Sequence, residues 1–196
     1  MKKSRLAVAA VAALALVLTA TPAQAHGGSA PAGTIVDVAV AASGGGTPDS
    51  NPWDYDILVQ AVVATGLTGA LADTSQTYTV FAPNDRAFLR LVTDLTGTAP
   101  ASEADALAAI TSTFTAQQIS NILLYHVVAG QKLGLVKIVT AGSLTMANGG
   151  VVEPRGIRLR DETPALSDPR LVVWAINIPA TNGVIHTIDR VLVPAS

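Results

Sequence analysis

Two interior histidines and one short run of carboxylates are the residues of this chain most able to do chemistry. His126 lies in NILLYHVVAG at 121–130 and His186 in TNGVIHTIDRVLVP at 181–194. Histidine titrates near neutral pH, so each is a candidate for proton transfer, metal ligation or a buried hydrogen bond. Ile119, Ile122, Leu123 and His126 fall at i, i+3, i+4 and i+7. That spacing puts His126 on an apolar helix stripe, near the C-terminus of a helix running to about Val127. Its ring nitrogens are expected to bond backbone or a hydroxyl there. Tyr125 falls off the stripe, so its phenol is expected to reach solvent. Val184, His186 and Ile188 alternate onto one face of a strand, which makes His186 a core residue. Asn182-Gly183 is expected to supply the preceding turn, and Asp189 a hydrogen bond at the strand end.

Asp49, Asn51, Asp54 and Asp56 crowd oxygen ligands into eight positions, the donor type that suits Ca2+. The run lacks the central glycine and distal glutamate of an EF-hand loop. Asp54 and Asp56 also suit a helix N-terminus by charge–dipole attraction, so capping is the expectation and no metal site is assigned. His26 would carry a free α-amine beside its imidazole if the chain were cleaved after Ala25, a pair able to chelate Cu(II) with another histidine. A terminal tail residue is the preferred reading. Enzyme signatures are missing in turn: no G-x-S-x-G elbow, no Walker loop, no H-E-x-x-H and no cysteine. The HGG at 26–28 abuts the expected cleavage site. No catalytic residue and no cofactor is assigned, and the chain is expected not to be an enzyme.

The first 25 residues read as a signal peptide: Lys2, Lys3 and Arg5, an apolar run from Leu6 to Leu18, then Pro22-Ala23-Gln24-Ala25. The expected localisation is secreted and extracellular, or periplasmic where an outer membrane exists. No further apolar run is long enough to span a bilayer. Removing the three basic residues of the leader from the 12 in the chain leaves 9 against 14 acidic ones, a net charge of −5. That disfavours nucleic acid as a partner. Residues 26–33 read as a flexible tail and 34–194 as one domain, large enough to bury its own core.

Within that domain, Thr34 with Asp37, Ser102 with Asp105 and Thr115 with Gln118 mark helix starts, as does Asn84 alone. A helix is expected from about Trp53 to Thr65, stopped by Gly66. Residues 77–82 read as a strand broken by Pro83, with Ala87, Phe88, Leu91 and Leu95 facing inward on the next helix. From residue 136 the period changes to short β-rich runs cut by NGG at 148–150, PRG at 154–156, Pro164, Pro169 and Pro179. Helices first and strands later imply an α+β fold.

Three segments, TYTVFAPNDRAFL at 77–89, NILLYHVVAG at 121–130 and TNGVIHTIDRVLVP at 181–194, occur in an order and separation that resembles the fasciclin domain family. The resemblance covers about residues 34–194. It departs from the family at Asn84, where Thr is common, in the expanded loop 43–52, and in the long segment 93–118. The resemblance implies a β-sheet wedge or sandwich with several packed helices. It also implies an adhesion or interaction module that binds a cell-surface or matrix protein or glycan. In animal members the Tyr-His region is implicated in integrin-dependent adhesion, so Tyr125, His126, Val127 and Val128 are the implied partner-binding residues, although no RGD occurs. The alternative is a carrier of an apolar small molecule such as a carotenoid. A secreted hydrolase of unrecognised mechanism ranks below both.

Overall fold

The computed structural model describes residues 33–195. The expected leader at 1–25, His26 and the tail before Gly33 lie outside the described residues. In chain order the elements are α1 (Ile35–Ala42), α2 (Asp56–Ala64), α3 (Thr68–Leu71), β1 (Tyr78–Pro83), α4 (Asp85–Thr96), α5 (Glu103–Thr113), α6 (Ala116–Leu124), β2 (Val127–Ala129), α7 (Leu135–Thr140), β3 (Leu144–Thr145), β4 (Val151–Arg155), β5 (Arg158–Arg160), β6 (Ile178–Ala180) and β7 (Gly183–Ile188).

Local chemistry explains most helix starts. The Thr34 hydroxyl accepts from the Asp37 amide at 3.3 Å, and the Asp37 carboxylate accepts from the Thr34 amide at 2.8 Å. Two otherwise unpaired donors of α1 are satisfied reciprocally. Thr115 and Gln118 repeat the device on α6, while Asn84 and Ser102 cap α4 and α5 through single side-chain bonds.

Long-range pairing then sets the architecture. β1 runs parallel to β7, from Tyr78 opposite Gly183 to Pro83 opposite Ile188, and antiparallel to β2; β6 completes a four-stranded sheet in the order β2-β1-β7-β6. A parallel pair needs a crossover, and here almost the whole domain forms it. β3, β4 and β5 make a separate antiparallel sheet. Alternation along β1 sends Val80 and Ala82 to one core with Ile57, Leu58, Phe88 and Ile185. Phe81 faces a second core with Ile138, Val152, Leu159, Ile188 and Leu192. The result is an α+β fold, with α1 to α6 on one face of the main sheet and the small sheet with α7 on the other. All six residues of β7 are buried, because both its faces are covered.

Several expectations shift. α2 begins at Asp56, not Trp53, because the Pro52 and Asp54 carbonyls accept the Arg86 and Asp85 amides and hold 52–54 as a loop. α6 ends at Leu124, three residues early, because Val127–Ala129 leaves to pair with β1. Residues 135–140 form a helix where strands were expected: Ile138 is buried in the second core, and that packing overrides β-propensity. Leu95 is 46% exposed, beyond the end of the buried stripe of α4. Ala180 pairs with Gly183, so the turn residues are Thr181 and Asn182. Gly183 is needed for a different reason: an added Cβ would collide with the Tyr78 carbonyl across the parallel pair.

Candidate functional site

Tyr125, His126, Val127 and Val128 are brought together, and all four are buried. Tyr125 does not reach solvent. Ending the helix at Leu124 turns its ring into the second core, where its hydroxyl donates to the Val151 carbonyl at 2.7 Å and accepts from the Glu162 amide at 3.2 Å. Burial, with Glu162 and Asp161 nearby, pushes the phenol well above its ordinary pKa. Val127 and Val128 belong to β2 and fill the two cores, one on each face of the sheet. The four side chains therefore present no surface of their own.

His126 is held at both ends of its ring. Nδ1 lies 2.7 Å from the Ile122 carbonyl, and the Leu192 amide donates to Nε2 at 2.9 Å. A carbonyl on one side and an amide on the other assign the neutral Nδ1–H tautomer. Burial lowers its pKa from 6.5 to about 4. His186 is held likewise. Nε2 lies 2.8 Å from the Leu133 carbonyl, and the Asn177 amide donates to Nδ1 at 3.3 Å. Burial lowers its pKa as well. Backbone groups occupy all four ring nitrogens, so neither ring has a free lone pair for a metal or a substrate proton. Asp189 does bond at the strand end, accepting the Arg170 amide at 2.8 Å.

The surface offers a different constellation. Trp53 is 49% exposed and Trp174 76% exposed, and their rings meet edge to face at 6.3 Å between centroids. The Arg86 guanidinium sits 5.0 Å from the Trp53 ring centroid. Trp53 is fixed by the tied loop 52–54. Trp174 and the exposed Val173 are the two central residues of a turn closed by the Ala175 amide on the Val172 carbonyl at 2.8 Å. The turn is anchored to β7 because the Val172 amide donates to the Thr187 carbonyl and the Thr187 amide donates to the Ala175 carbonyl. Valine and tryptophan are poor turn formers, and most of the Val173 and Trp174 surface is left in water. Sequence reasoning passed over Trp174 and used Trp53 only as a helix start. The available signal was that these are the chain's only two tryptophans, one beside Pro52 and one in a segment without clean alternation.

Asp54 and Asp85, the chain neighbours of Trp53 and Arg86, belong to a set of carboxylates. Asp54, Asp56, Asp85 and Glu103 are buried, with Asp49 exposed at the edge. The expectation that Asp54 and Asp56 cap the helix is corrected. Both oxygens of Asp85 accept the first amides of α2, Asp56 at 3.0 Å and Ile57 at 2.8 Å, so the cap comes from across the chain. Glu103 accepts the Asp49 amide at 2.8 Å, and Asn51 donates to Asp54 at 2.9 Å. Burial first, and Asp54 beside it, push the Asp85 carboxyl up to about 8. Burial raises Asp56 and Glu103 too.

The described residues also form concave regions. An apolar cavity of about 120 Å³ lies among Ile35, Val62, Leu71 and Leu123. A polar groove of about 830 Å³ carries Arg90, Arg158 and Arg160, each already paired, with Asp189, Asp168 and Glu153. No described helix is long and apolar enough to cross a membrane.

The chain has recognisable relatives. The family model described as the fasciclin domain matches residues 54–194. An uncharacterized protein of Synechocystis sp. is 30% identical over 144 residues, covering 70% of this chain and 88% of its own. Transforming growth factor-beta-induced protein ig-h3 of Sus scrofa is 30% identical over 140 residues, 71% of this chain. The structure of a FAS1 domain pair from the insect cell adhesion molecule Fasciclin I superposes with a TM-score of 0.56 at 17% identity over 83% of this chain, a likeness of fold. The chain spans 18% of the length of the pig protein and 51% of the insect domain pair.

Proposed function

The chain belongs to the fasciclin domain family, and from that premise we propose that it is an exported, non-catalytic module. Its partner is a cell-surface or extracellular-matrix protein or glycan. The carrying observation is the Trp53–Trp174 patch with Arg86 beside it, an exposed aromatic pair assembled from two anchored loops 121 positions apart. Tryptophan supplies large contact area at low entropic cost, and tryptophan and arginine are both enriched among the residues that dominate binding energies at interfaces. The Tyr125–Val128 segment serves the contact indirectly, by packing the cores that hold these loops. The export signal at 1–25 supports an extracellular partner. Carriage of a carotenoid is the weaker reading, because the apolar cavity inside the first core holds only about 120 Å³, below the roughly 300–1,000 Å³ of small-molecule pockets. A carotenoid would have to lie instead along a surface concavity such as that of about 420 Å³ beside Phe114 and Ile122.

The test is saturable binding of the purified chain to surface and matrix fractions of its host, before and after glycosidase or protease treatment. The double variant Trp53→Ala, Trp174→Ala should lose binding and keep its melting temperature. Undiminished binding by that variant sinks the assignment of the patch, and a co-purifying chromophore would turn the reading to carriage.

A further inference from the structure

We propose that Asp49, Asp54 and Asp56 form a binding site for a divalent cation, Ca2+ in preference to Mg2+. One ligand oxygen from each lies within 4.8 Å of the others. That is about the span across a single Ca2+ whose oxygens stand roughly 2.3–2.6 Å away. Both oxygens of Asp56 and Oδ1 of Asp54 are buried and have no hydrogen-bond partner in the structure. Asp56 is 0% exposed and Asp54 7%. Buried carboxylate lone pairs left unmatched are costly, and a cation is the ligand that matches several at once.

Helix capping does not explain these groups, since Asp85 already takes the α2 amides. Attraction to the helix dipole favours a charge at Asp56 but leaves both of its oxygens unbonded. None of the ion pairs among the described residues involves Asp49, Asp54, Asp56, Asp85 or Glu103. The cluster thus gathers acid without an ion-pairing protein cation: Arg90, Arg155, Arg158, Arg160 and Arg190 pair elsewhere, and the Arg86 guanidinium lies over the Trp53 ring. Asp49 is exposed and provides the way in. Asn51 holds one oxygen of Asp54 and so orients its carboxylate. Carboxylates from a loop and a first helical turn suit the adaptable coordination of Ca2+ better than the tight octahedron of Mg2+.

Tb3+ luminescence on the full chain tests this directly, because Trp53 adjoins Asp54 in sequence and can sensitise a bound ion. Emission should saturate, Ca2+ should displace Tb3+ at lower concentration than Mg2+, and CaCl2 should raise the melting midpoint by mass action. Asp56→Asn should weaken binding by about tenfold or more while raising stability in chelator, where it removes an unmatched charge. Asp49→Asn, at an exposed position, provides the same affinity test should Asp56→Asn fail to fold. Absence of saturable emission from folded wild type, or an equal Ca2+ response in wild type and Asp49→Asn, overturns the proposal and leaves protons as the charges that quiet the cluster.

Discussion

His126 and His186 are opposite tautomers performing the same task. His126 donates from Nδ1 to the Ile122 carbonyl and accepts the Leu192 amide at Nε2; His186 donates from Nε2 to the Leu133 carbonyl and accepts the Asn177 amide at Nδ1. Each ring bridges two backbone segments that no strand pairing joins. His126 ties the end of α6 to the segment after β7 at Leu192, and His186 ties β7 to the segments before α7 and β6. The task requires a neutral ring, because a charged imidazole has two donors and would face an amide donor with another.

Stability should therefore fall as pH drops through the window between the unfolded and folded pKa values of His126. The unfolded ring titrates near 6.5 and the folded one near 4. Between them the unfolded chain binds more protons, so stability rises with pH. A difference of that size corresponds to about 3 kcal/mol once the pH is below both values. Urea melts at pH 7 and pH 4.5 should show a larger loss for wild type than for His126→Gln. Equal losses would remove His126 from the account.

Tyr125→Phe should cost about 1–2 kcal/mol in urea unfolding, since it leaves the Val151 carbonyl and the Glu162 amide without their shared hydroxyl. Partner binding, measured beside it, should stay within twofold of wild type. A large loss of binding at unchanged stability would return Tyr125 to the contact surface.

Gly183→Ala should destabilise by roughly 1–3 kcal/mol or more, because the new methyl meets the Tyr78 backbone, which cannot yield without breaking the β1–β7 pair. Gly69→Ala, in α3 with open space around it, serves as the control and should be neutral or stabilising. Thermal unfolding of the two variants side by side checks the contrast.

Trp174→Ala should change stability by less than about 0.5 kcal/mol, as expected for an exposed side chain. It should weaken partner binding by about 2 kcal/mol or more if the patch carries the contact. Calorimetric melts and binding isotherms on the same preparation separate the two effects.

Local signals survived into the structure where the physics is local. The capping boxes at Thr34 and Thr115 and the caps at Asn84 and Ser102 were legible because donor and acceptor lie within one turn. The buried state of His126 followed from spacing alone, even though the helix stopped two residues before it. The same periodicity misplaced Tyr125, because a helix wheel drawn past Leu124 assigns a direction that β2 then reverses.

By itself, then, the chain's order of residues determined the α+β class, the family segments, the helix starts and the apolar positions of both histidines. Each rests on contacts within a few residues or on periodicity. Only the tertiary structure decided the parallel pairing of β1 with β7, the capping of α2 by Asp85, the meeting of Trp53 with Trp174 and the gathering of Glu103 with Asp49 and Asp54. Those relationships join positions about 30 to 120 apart. No local preference encodes such distances; burial of the two cores sets them.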